Sequence, residues 1–168
     1  MISRFLTSRS IFLGIILFCG GLLGFALVLQ YFVDLIPCPL CIVQRFFYFL
    51  IGMVALSGYY GWFRKVSVRV YGWKIILLSL LGGTVALRQV WLQHFSGPVD
   101  PTRCGVLLGS FVESVILSLG GKGSCAVIDW TFLGFSIADW SLLCFGLLLI
   151  VGLYLAWKRT DKESATVL

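Results

Sequence analysis

Residues 11–33 read IFLGIILFCGGLLGFALVLQYFV, an apolar run without a charged side chain. A helix needs about 20 predominantly apolar residues to cross the hydrocarbon core of a bilayer, so this run predicts a membrane-spanning helix. The rest of the chain has the same character, because 60% of its 168 residues are hydrophobic and only 12% are charged. A soluble globular domain carries about 25% charged residues. The composition therefore excludes a soluble domain and predicts an integral membrane protein.

Three further apolar runs follow, at residues 42–62, 73–92 and 140–157. Short connections join the first run to the second and the second to the third, so these neighbouring helices must be antiparallel. We therefore expect an all-α, antiparallel four-helix bundle that forms a single membrane domain over residues 1–168. The loops on one side of the membrane are expected at residues 34–41 and 93–139.

The basic residues are concentrated on the opposite side of the predicted bundle. They precede the first span, lie between the second and third, and follow the fourth: Arg4, Arg9, Arg64, Lys65, Arg69, Lys74, Lys158, Arg159 and Lys162. Cytoplasmic loops carry an excess of Lys and Arg, so both termini are predicted to be cytoplasmic. The net charge of +6 thus encodes orientation, and nucleic acid is not expected as a partner. The first run exceeds the roughly 7–15-residue apolar region of a signal peptide and is interpreted as an uncleaved anchor.

A fifth apolar segment, VLLGSFVESVILSL at residues 106–119, is too short to be a span. A helix of this length reaches only about 21 Å. Crossing here would also place Cys104 and Cys125 on opposite faces of the membrane. We expect a short amphipathic helix on the outer leaflet of the membrane, with an ordered loop as the alternative.

The cysteines divide into two groups by position. Cys19 and Cys144 fall inside predicted spans, where a thiol is most often a small packing residue. The other four fall on the non-cytoplasmic side: Cys38, Cys41, Cys104 and Cys125. Disulfides persist there if the compartment is a bacterial envelope or a secretory lumen.

The stretch PCPLC at residues 37–41 is a C-x-x-C motif at the start of the second span. Pro39 suits the first turn of a helix, and the N–H groups and dipole at a helix start stabilise a thiolate. These features favour a reactive dithiol. A structural disulfide or two ligands of a metal site would use the same motif.

Arg45 lies four residues after Cys41, on the same helical face and one turn deeper in the membrane. A charge at mid-depth costs at least about 2.5–3.5 kcal/mol, and less near the interface. One interpretation is a cation that stabilises the Cys41 thiolate or polarises a carbonyl oxygen of a membrane-dissolved electron acceptor. The other is a side chain that extends to the outer headgroups.

Cys104 and Cys125 form a second candidate pair in the long loop. A disulfide between them could simply stiffen the loop. With the C-x-x-C motif on the same side, the two pairs could instead relay electrons by thiol–disulfide exchange from a soluble partner to a lipid-soluble acceptor. Four cysteines could also bind zinc, but zinc ribbons use two closely spaced knuckles and the second pair here is too far apart.

Two polar residues near the end of the third run each allow two interpretations. His94 lies just outside the span and is interpreted as an interfacial residue, with a quinone contact or a proton relay as the alternative. Arg88 either pairs with a headgroup or lines the acceptor site.

Together these residues resemble the disulfide bond formation protein B (DsbB) family, the quinone-dependent thiol oxidases of the bacterial inner membrane. The resemblance rests on Pro-Cys-x-x-Cys-Ile-x-x-Arg at residues 37–45 and on Arg88 with Trp-Leu-Gln at residues 91–93. It continues with Trp-x-Phe-Leu-Gly at residues 130–134 and Trp-x-Leu-Leu at residues 140–143. The motifs cover nearly the whole chain in order.

The resemblance implies a thiol:quinone oxidoreductase in the inner membrane, with periplasmic loops and no metal. Cys104 would form a mixed disulfide with a periplasmic DsbA-like thiol oxidase. Cys125 would then attack Cys38, which leaves Cys41 as the thiolate that faces the quinone. Arg45 would be the cation of the quinone site, and the acceptor would be ubiquinone or menaquinone of the membrane pool.

Some features depart from the family pattern. The interior of the C-x-x-C motif is Pro-Leu, Cys19 and Cys144 are additional thiols, and nothing near Gln89 matches a polar or histidine residue that some members have in the third span. Two other functions stay open. One is a vitamin K epoxide reductase-like thiol/quinone enzyme, and the other is a non-catalytic or metal-handling membrane scaffold with structural disulfides.

Overall fold

A computed structural model describes residues 8–32, 39–61, 67–95, 131–132 and 134–157. These residues hold four helices: α1 (Ser8–Phe32), α2 (Pro39–Tyr60), α3 (Val68–Phe95) and α4 (Ile137–Trp157). A short antiparallel pair of strands, β1 (Thr131–Phe132) and β2 (Phe135–Ser136), precedes α4. Each of the four helices is long and apolar enough to cross a membrane. The predicted four-helix membrane bundle is confirmed.

The helices extend beyond the apolar runs of the sequence. α1 begins at Ser8 rather than at residue 11, and α3 covers Val68–Phe95 rather than residues 73–92. Hydropathy marks only the part of a helix that fits the hydrocarbon, whereas backbone hydrogen bonding continues into the polar interface. α2 begins at Pro39, in agreement with the preference of proline for the first helical turn.

Side-chain contacts at the helix ends show that successive helices run in opposite directions. Each contact joins the start of one helix to the end of another: Arg45 of α2 with Gln30 of α1, Gln44 of α2 with Gln89 of α3, and Arg69 of α3 with Ala156 of α4. The start of α2 therefore lies beside the ends of α1 and α3. We call this the cysteine end of the bundle, because Cys41 lies there.

One apolar core joins all four helices. Its buried members are Phe12, Ile15 and Cys19 of α1, Tyr48, Ile51 and Ala55 of α2, Tyr71, Ile75 and Ala86 of α3, and Phe145, Leu148 and Leu155 of α4. The rings of Tyr48 and Phe145 stack with their centroids 4.3 Å apart. Cys144 packs against this core as well, so Cys19 and Cys144 occupy the packing positions expected of thiols inside spans.

The close crossing of α3 and α4 depends on small residues. A Cβ atom added to Gly72 would lie 2.6 Å from the backbone nitrogen of Ala156, and one added to Gly152 would lie 3.0 Å from a side-chain carbon of Ile76. Small residues let the backbones of membrane helices approach, which increases the dispersion contacts between them. Arg69 donates to the carbonyl of Ala156 at this crossing, with 3.0 Å between Nε and O.

A reciprocal cap starts α4 at the cysteine end. The backbone N–H of Ser136 donates to Oδ2 of Asp139 at 2.9 Å, and the N–H of Asp139 donates to Oγ of Ser136 at 3.2 Å. This is the capping box, which satisfies two N–H groups that a helix start leaves without intrahelical partners. Gly134 precedes the cap with a φ of 82°, a left-handed conformation that favours glycine.

Several predictions concern other parts of the chain. The interfacial helix expected at residues 106–119 lies outside the described residues. So do six of the nine basic residues that predict the orientation: Arg4, Arg64, Lys65, Lys158, Arg159 and Lys162. Arg9, Arg69 and Lys74 lie in the described helices.

Candidate functional site

The structure describes Cys41 and Arg45 of the predicted site. Both lie in the first two turns of α2, at the cysteine end of the bundle. The remaining predicted site residues, Cys38, Cys104 and Cys125, lie outside the described residues. The pairing of the cysteines therefore stays a prediction.

Cys41 is half-buried in the first turn of α2. The first N–H groups of a helix point along its axis without intrahelical partners, and the helix dipole adds partial positive charge there. Both effects favour a negatively charged sulfur over a neutral thiol. The location of Cys41 is thus suitable for a reactive thiolate.

A glutamine side chain, itself bonded to a second glutamine, contacts Cys41 from the bundle interior. Nε2 of Gln89 on α3 lies 3.4 Å from the sulfur of Cys41, and Oε1 of Gln89 lies 3.8 Å from it. Nε2 of Gln44 on α2 in turn donates to Oε1 of Gln89 at 2.7 Å. Both glutamines are buried, with 5% of Gln44 and 4% of Gln89 exposed. A buried amide without hydrogen bonds is costly. Here the two amides bond to each other, and Gln89 also bonds to the sulfur of Cys41.

Arg45 points to α1. Its Nη1 donates to Oε1 of Gln30 at 2.6 Å, and its Nη2 donates to the carbonyl of Ala26 at 3.2 Å. The side chain is half-buried. These contacts favour an ordered cation between α1 and α2 over a side chain that extends to the headgroups. Sequence analysis noted Arg45 but not Gln30 as its partner, although Gln30 is a strongly polar residue in an otherwise apolar span.

Tyr48 extends the polar face of α2 inward. Its hydroxyl lies 3.0 Å from both the carbonyl oxygen and the hydroxyl of Ser141 on α4. Cys41, Gln44 and Tyr48 follow the spacing of one helical face, and Gln44 and Tyr48 are buried. Sequence analysis missed Gln44, Gln89 and Tyr48 as site residues. For Gln44 and Tyr48 the available signal was a polar side chain at helical spacing from Cys41 within an apolar run; for Gln89, on α3, it was only a polar side chain within an apolar run.

A second polar cluster connects the end of α3 with the start of α4. Oγ of Ser136 lies 2.8 Å from Oε1 of Gln93 and 2.9 Å from Oδ2 of Asp139, so its single hydrogen serves one oxygen at a time. Nε2 of His94 lies 3.8 Å from Oδ1 of Asp139, and 54% of the His94 side chain is exposed. The contact is an exposed ion pair when His94 is protonated, in keeping with an interfacial histidine.

Metal ligation finds no support in this region. Within the parts of the chain that the structure describes, no three His, Cys, Asp or Glu side chains are grouped so that they could hold a metal ion. The chemistry available here is that of a sulfur with amide donors and a nearby guanidinium.

Known proteins are similar to this sequence over almost its full length. The sequence model of the family "Disulfide bond formation protein DsbB" matches residues 8–155. Disulfide bond formation protein B of Azoarcus sp. (strain BH72) is 42% identical, over 90% of this chain and 93% of that protein. The protein of the same name from Verminephrobacter eiseniae (strain EF01-2) is 43% identical, over 95% of this chain and 93% of its own. The chain therefore belongs to the DsbB family and is a multi-pass membrane protein of disulfide bond formation.

Proposed function

We propose that this protein is a thiol:quinone oxidoreductase of the bacterial inner membrane, which reoxidises a periplasmic DsbA-like dithiol oxidase. The observation that carries this function is the placement of Cys41 and Arg45 on successive turns of α2, at one end of a membrane-spanning helix. Family membership supports disulfide chemistry. A reactive sulfur and a fixed cation at the membrane edge are what an exchange between a thiol and a lipid-soluble acceptor requires.

The overall reaction conserves electrons and protons. The two thiols of the partner lose two electrons and two protons and form a disulfide. A bound quinone supplies the two-electron acceptor and takes up both protons. The protein itself returns to its starting state with both of its disulfides, Cys38–Cys41 and Cys104–Cys125, restored.

The exchange steps follow the roles that the family resemblance implies. A partner thiolate attacks Cys104, forms a mixed disulfide and releases Cys125, which attacks Cys38 and releases Cys41 as a thiolate. The second partner thiolate then frees Cys104 and leaves the partner oxidised. Cys104 attacks the Cys38–Cys125 bond, which restores its own disulfide and leaves Cys38 and Cys41 reduced.

Residues of α2 fit an acceptor with carbonyl oxygens. A guanidinium carries five N–H donors, and the contacts of Arg45 to Gln30 and Ala26 fix its position while it can donate to a further oxygen. Phe46 and Phe49 are exposed next to Arg45 and one turn after it. They give the approach from the lipid an apolar and aromatic surface. The site would therefore hold a quinone ring with Arg45 at an oxygen and Cys41 at its edge.

Charge placement supports periplasmic loops and cytoplasmic termini. Arg69 and Lys74 lie in the first turns of α3, at the end of the bundle opposite to Cys41. Lys and Arg at helix ends favour the cytoplasmic side, so Cys41 would face the periplasm.

The test is electron transfer by the purified full-length protein in lipid nanodiscs. A reduced DsbA-type oxidase and a short-chain ubiquinone or menaquinone analogue are supplied, and partner thiols and quinone absorbance are followed together. We expect one quinone consumed per partner disulfide, and none in Cys41→Ser. Thiol oxidation that is independent of quinone would contradict this function. Inert disulfides would favour a scaffold.

A further inference from the structure

The amide pair Gln44–Gln89 has no role in the exchange steps described above. Both side chains are buried near the membrane edge, where a polar group is costly. Apolar residues at these positions would avoid that cost. The pair is directed at Cys41, whose sulfur lies 3.4 Å from Nε2 of Gln89.

We propose that Gln89 is a catalytic residue that holds Cys41 as a reactive thiolate by donating an amide N–H to its sulfur. Gln44 is the positioning residue that turns this N–H toward the sulfur. Both roles rest on the proposed function, in which Cys41 is the sulfur next to the acceptor. They concern the thiol chemistry of Cys41 alone and require neither a quinone nor a protein partner.

The orientation of the Gln89 amide follows from its contact with Gln44. Because Nε2 of Gln44 donates to Oε1 of Gln89 at 2.7 Å, that oxygen is the acceptor of the pair. Nε2 of Gln89 donates to the sulfur of Cys41 at 3.4 Å, and the contact in which a Cys41 thiol donates to Oε1 of Gln89 is longer, at 3.8 Å. Donation to Oε1 also polarises the amide and strengthens its N–H as a donor. The pair therefore favours the thiolate of Cys41 over its thiol.

The helix dipole and Gln89 act on Cys41 from different elements. The start of α2 contributes its own N–H groups, whereas Gln89 belongs to α3 and approaches from the bundle interior. A thiolate at the membrane edge has fewer water molecules to solvate it than one in bulk water. A side-chain donor in this position replaces part of that lost solvation.

Other ionisable groups also lie at the cysteine end. They are Arg45 on the same helix, Tyr31 on α1, Arg88 and His94 on α3, and Asp139 on α4. A test of the amides must leave all of them in place. Substitution of glutamine by methionine meets this condition, because methionine has a similar length and no N–H group.

The experiment measures alkylation of Cys41 by iodoacetamide as a function of pH, in the fully reduced full-length protein in nanodiscs. Mass spectrometry of the Cys41 peptide isolates this thiol from the others. In Gln89→Met the midpoint of the profile is expected about one pH unit higher, which is about a tenfold slower reaction at neutral pH. In Gln44→Met, which leaves the donor present but less well oriented, a smaller upward shift is expected. The double variant should match Gln89→Met, because Gln44 acts through Gln89.

Gln93→Met is the matched control, since Gln93 lies one turn further along α3 and contacts Ser136. Its profile should match that of the wild type. An unshifted midpoint in Gln89→Met would overturn the role of Gln89, and so would an equal loss of rate at every pH, which indicates altered access. If Gln89→Met unfolds below the assay temperature, Gln44→Met provides the test instead. An unshifted midpoint in Gln44→Met would contradict the proposed role of the Gln44–Gln89 pair. A shift found in a protein that does not use quinone would retain the role of Gln89 and reject the proposed function.

Discussion

Nη1 of Arg45 lies 2.6 Å from Oε1 of Gln30, so the cation of α2 is held by the last turns of α1. The two residues are far apart in sequence, and each is a polar residue within an apolar span. An isolated guanidinium in hydrocarbon is costly, and a partner with a neutral oxygen reduces that cost without neutralising the charge. Arg45 therefore keeps a full positive charge at a fixed position near Cys41.

Arg45→Ala is expected to weaken the use of quinone more than thiol exchange with the protein partner. In the proposed function the substitution removes a donor to the quinone and leaves Cys104 and Cys125 unchanged. The apparent KM for the quinone analogue should rise about tenfold or more, as for the loss of a charged hydrogen bond. Steady-state kinetics with each substrate varied in turn measure the effect.

Arg45→Lys should be partly active, because it retains the charge but not the planar set of donors. Gln30→Leu leaves Arg45 in place and removes one of its contacts, so an intermediate rise in KM is expected. An unchanged quinone dependence in Arg45→Ala would show that Arg45 only supports the packing of α1 on α2.

The pattern of apolar runs predicts which segments cross the membrane but not which faces meet. The four helices and the start of α2 at Pro39 follow from run length, short connections and proline chemistry. The contacts of Arg45 with Gln30 and of Cys41 with Gln89 depend on the rotation of each helix about its axis. Helices that are apolar on nearly all sides carry little sequence signal for that rotation, because lipid and core select the same side chains.

Gly72→Ala is expected to destabilise the bundle by about 1–3 kcal/mol. The added methyl would lie 2.6 Å from the backbone nitrogen of Ala156, so α3 and α4 must separate and lose packing. Thermal unfolding in detergent, followed by circular dichroism, measures the change. Gly20→Ala on α1 is the control, because nothing lies within 4 Å of the added methyl. Equal unfolding temperatures of the two variants would contradict a close crossing.

Ser136→Ala should lower the free energy of unfolding by about 1 kcal/mol through the loss of the α4 cap. Its hydroxyl accepts from the N–H of Asp139 at 3.2 Å and lies 2.8 Å from Gln93 of α3. Hydrogen exchange should increase in the first turn of α4 and little elsewhere. Ser57→Ala is a suitable comparison, since the hydroxyl of Ser57 donates to the carbonyl of Val54 in the preceding turn of its own helix. Increased exchange along all of α4 would indicate a tertiary rather than a capping role for Ser136.

Both termini are expected in the cytoplasm, because Arg9, Arg69 and Lys74 lie at the end of the bundle opposite to Cys41 and the sequence places most other Lys and Arg next to the same helix ends. A fluorescent protein that folds only in the cytoplasm, fused after Leu168, should be fluorescent. An alkaline phosphatase fused at the same position should be inactive, since it requires the periplasm. The opposite pair of signals would place Cys41 on the cytoplasmic side and reject periplasmic disulfide exchange.

The order of the thiol relay gives a further prediction. Gly97, Pro98 and Pro101 precede Cys104 in a stretch with turn-forming composition, which we expect a soluble protein to reach, whereas Cys41 lies at the start of a membrane-spanning helix. In Cys125→Ser the Cys104 thiolate can attack the disulfide of an oxidised partner, and no Cys125 thiol is present to displace the partner from Cys104 again, so a covalent complex of the partner with Cys104 should accumulate on non-reducing gels. Cys19→Ala and Cys144→Ala should show no such complex, because both thiols belong to the packed interior. Mass spectrometry of the crosslinked peptide identifies the cysteine. Capture of the partner on Cys38 or Cys41 would reverse the assignment and leave the Cys104–Cys125 loop with a structural role.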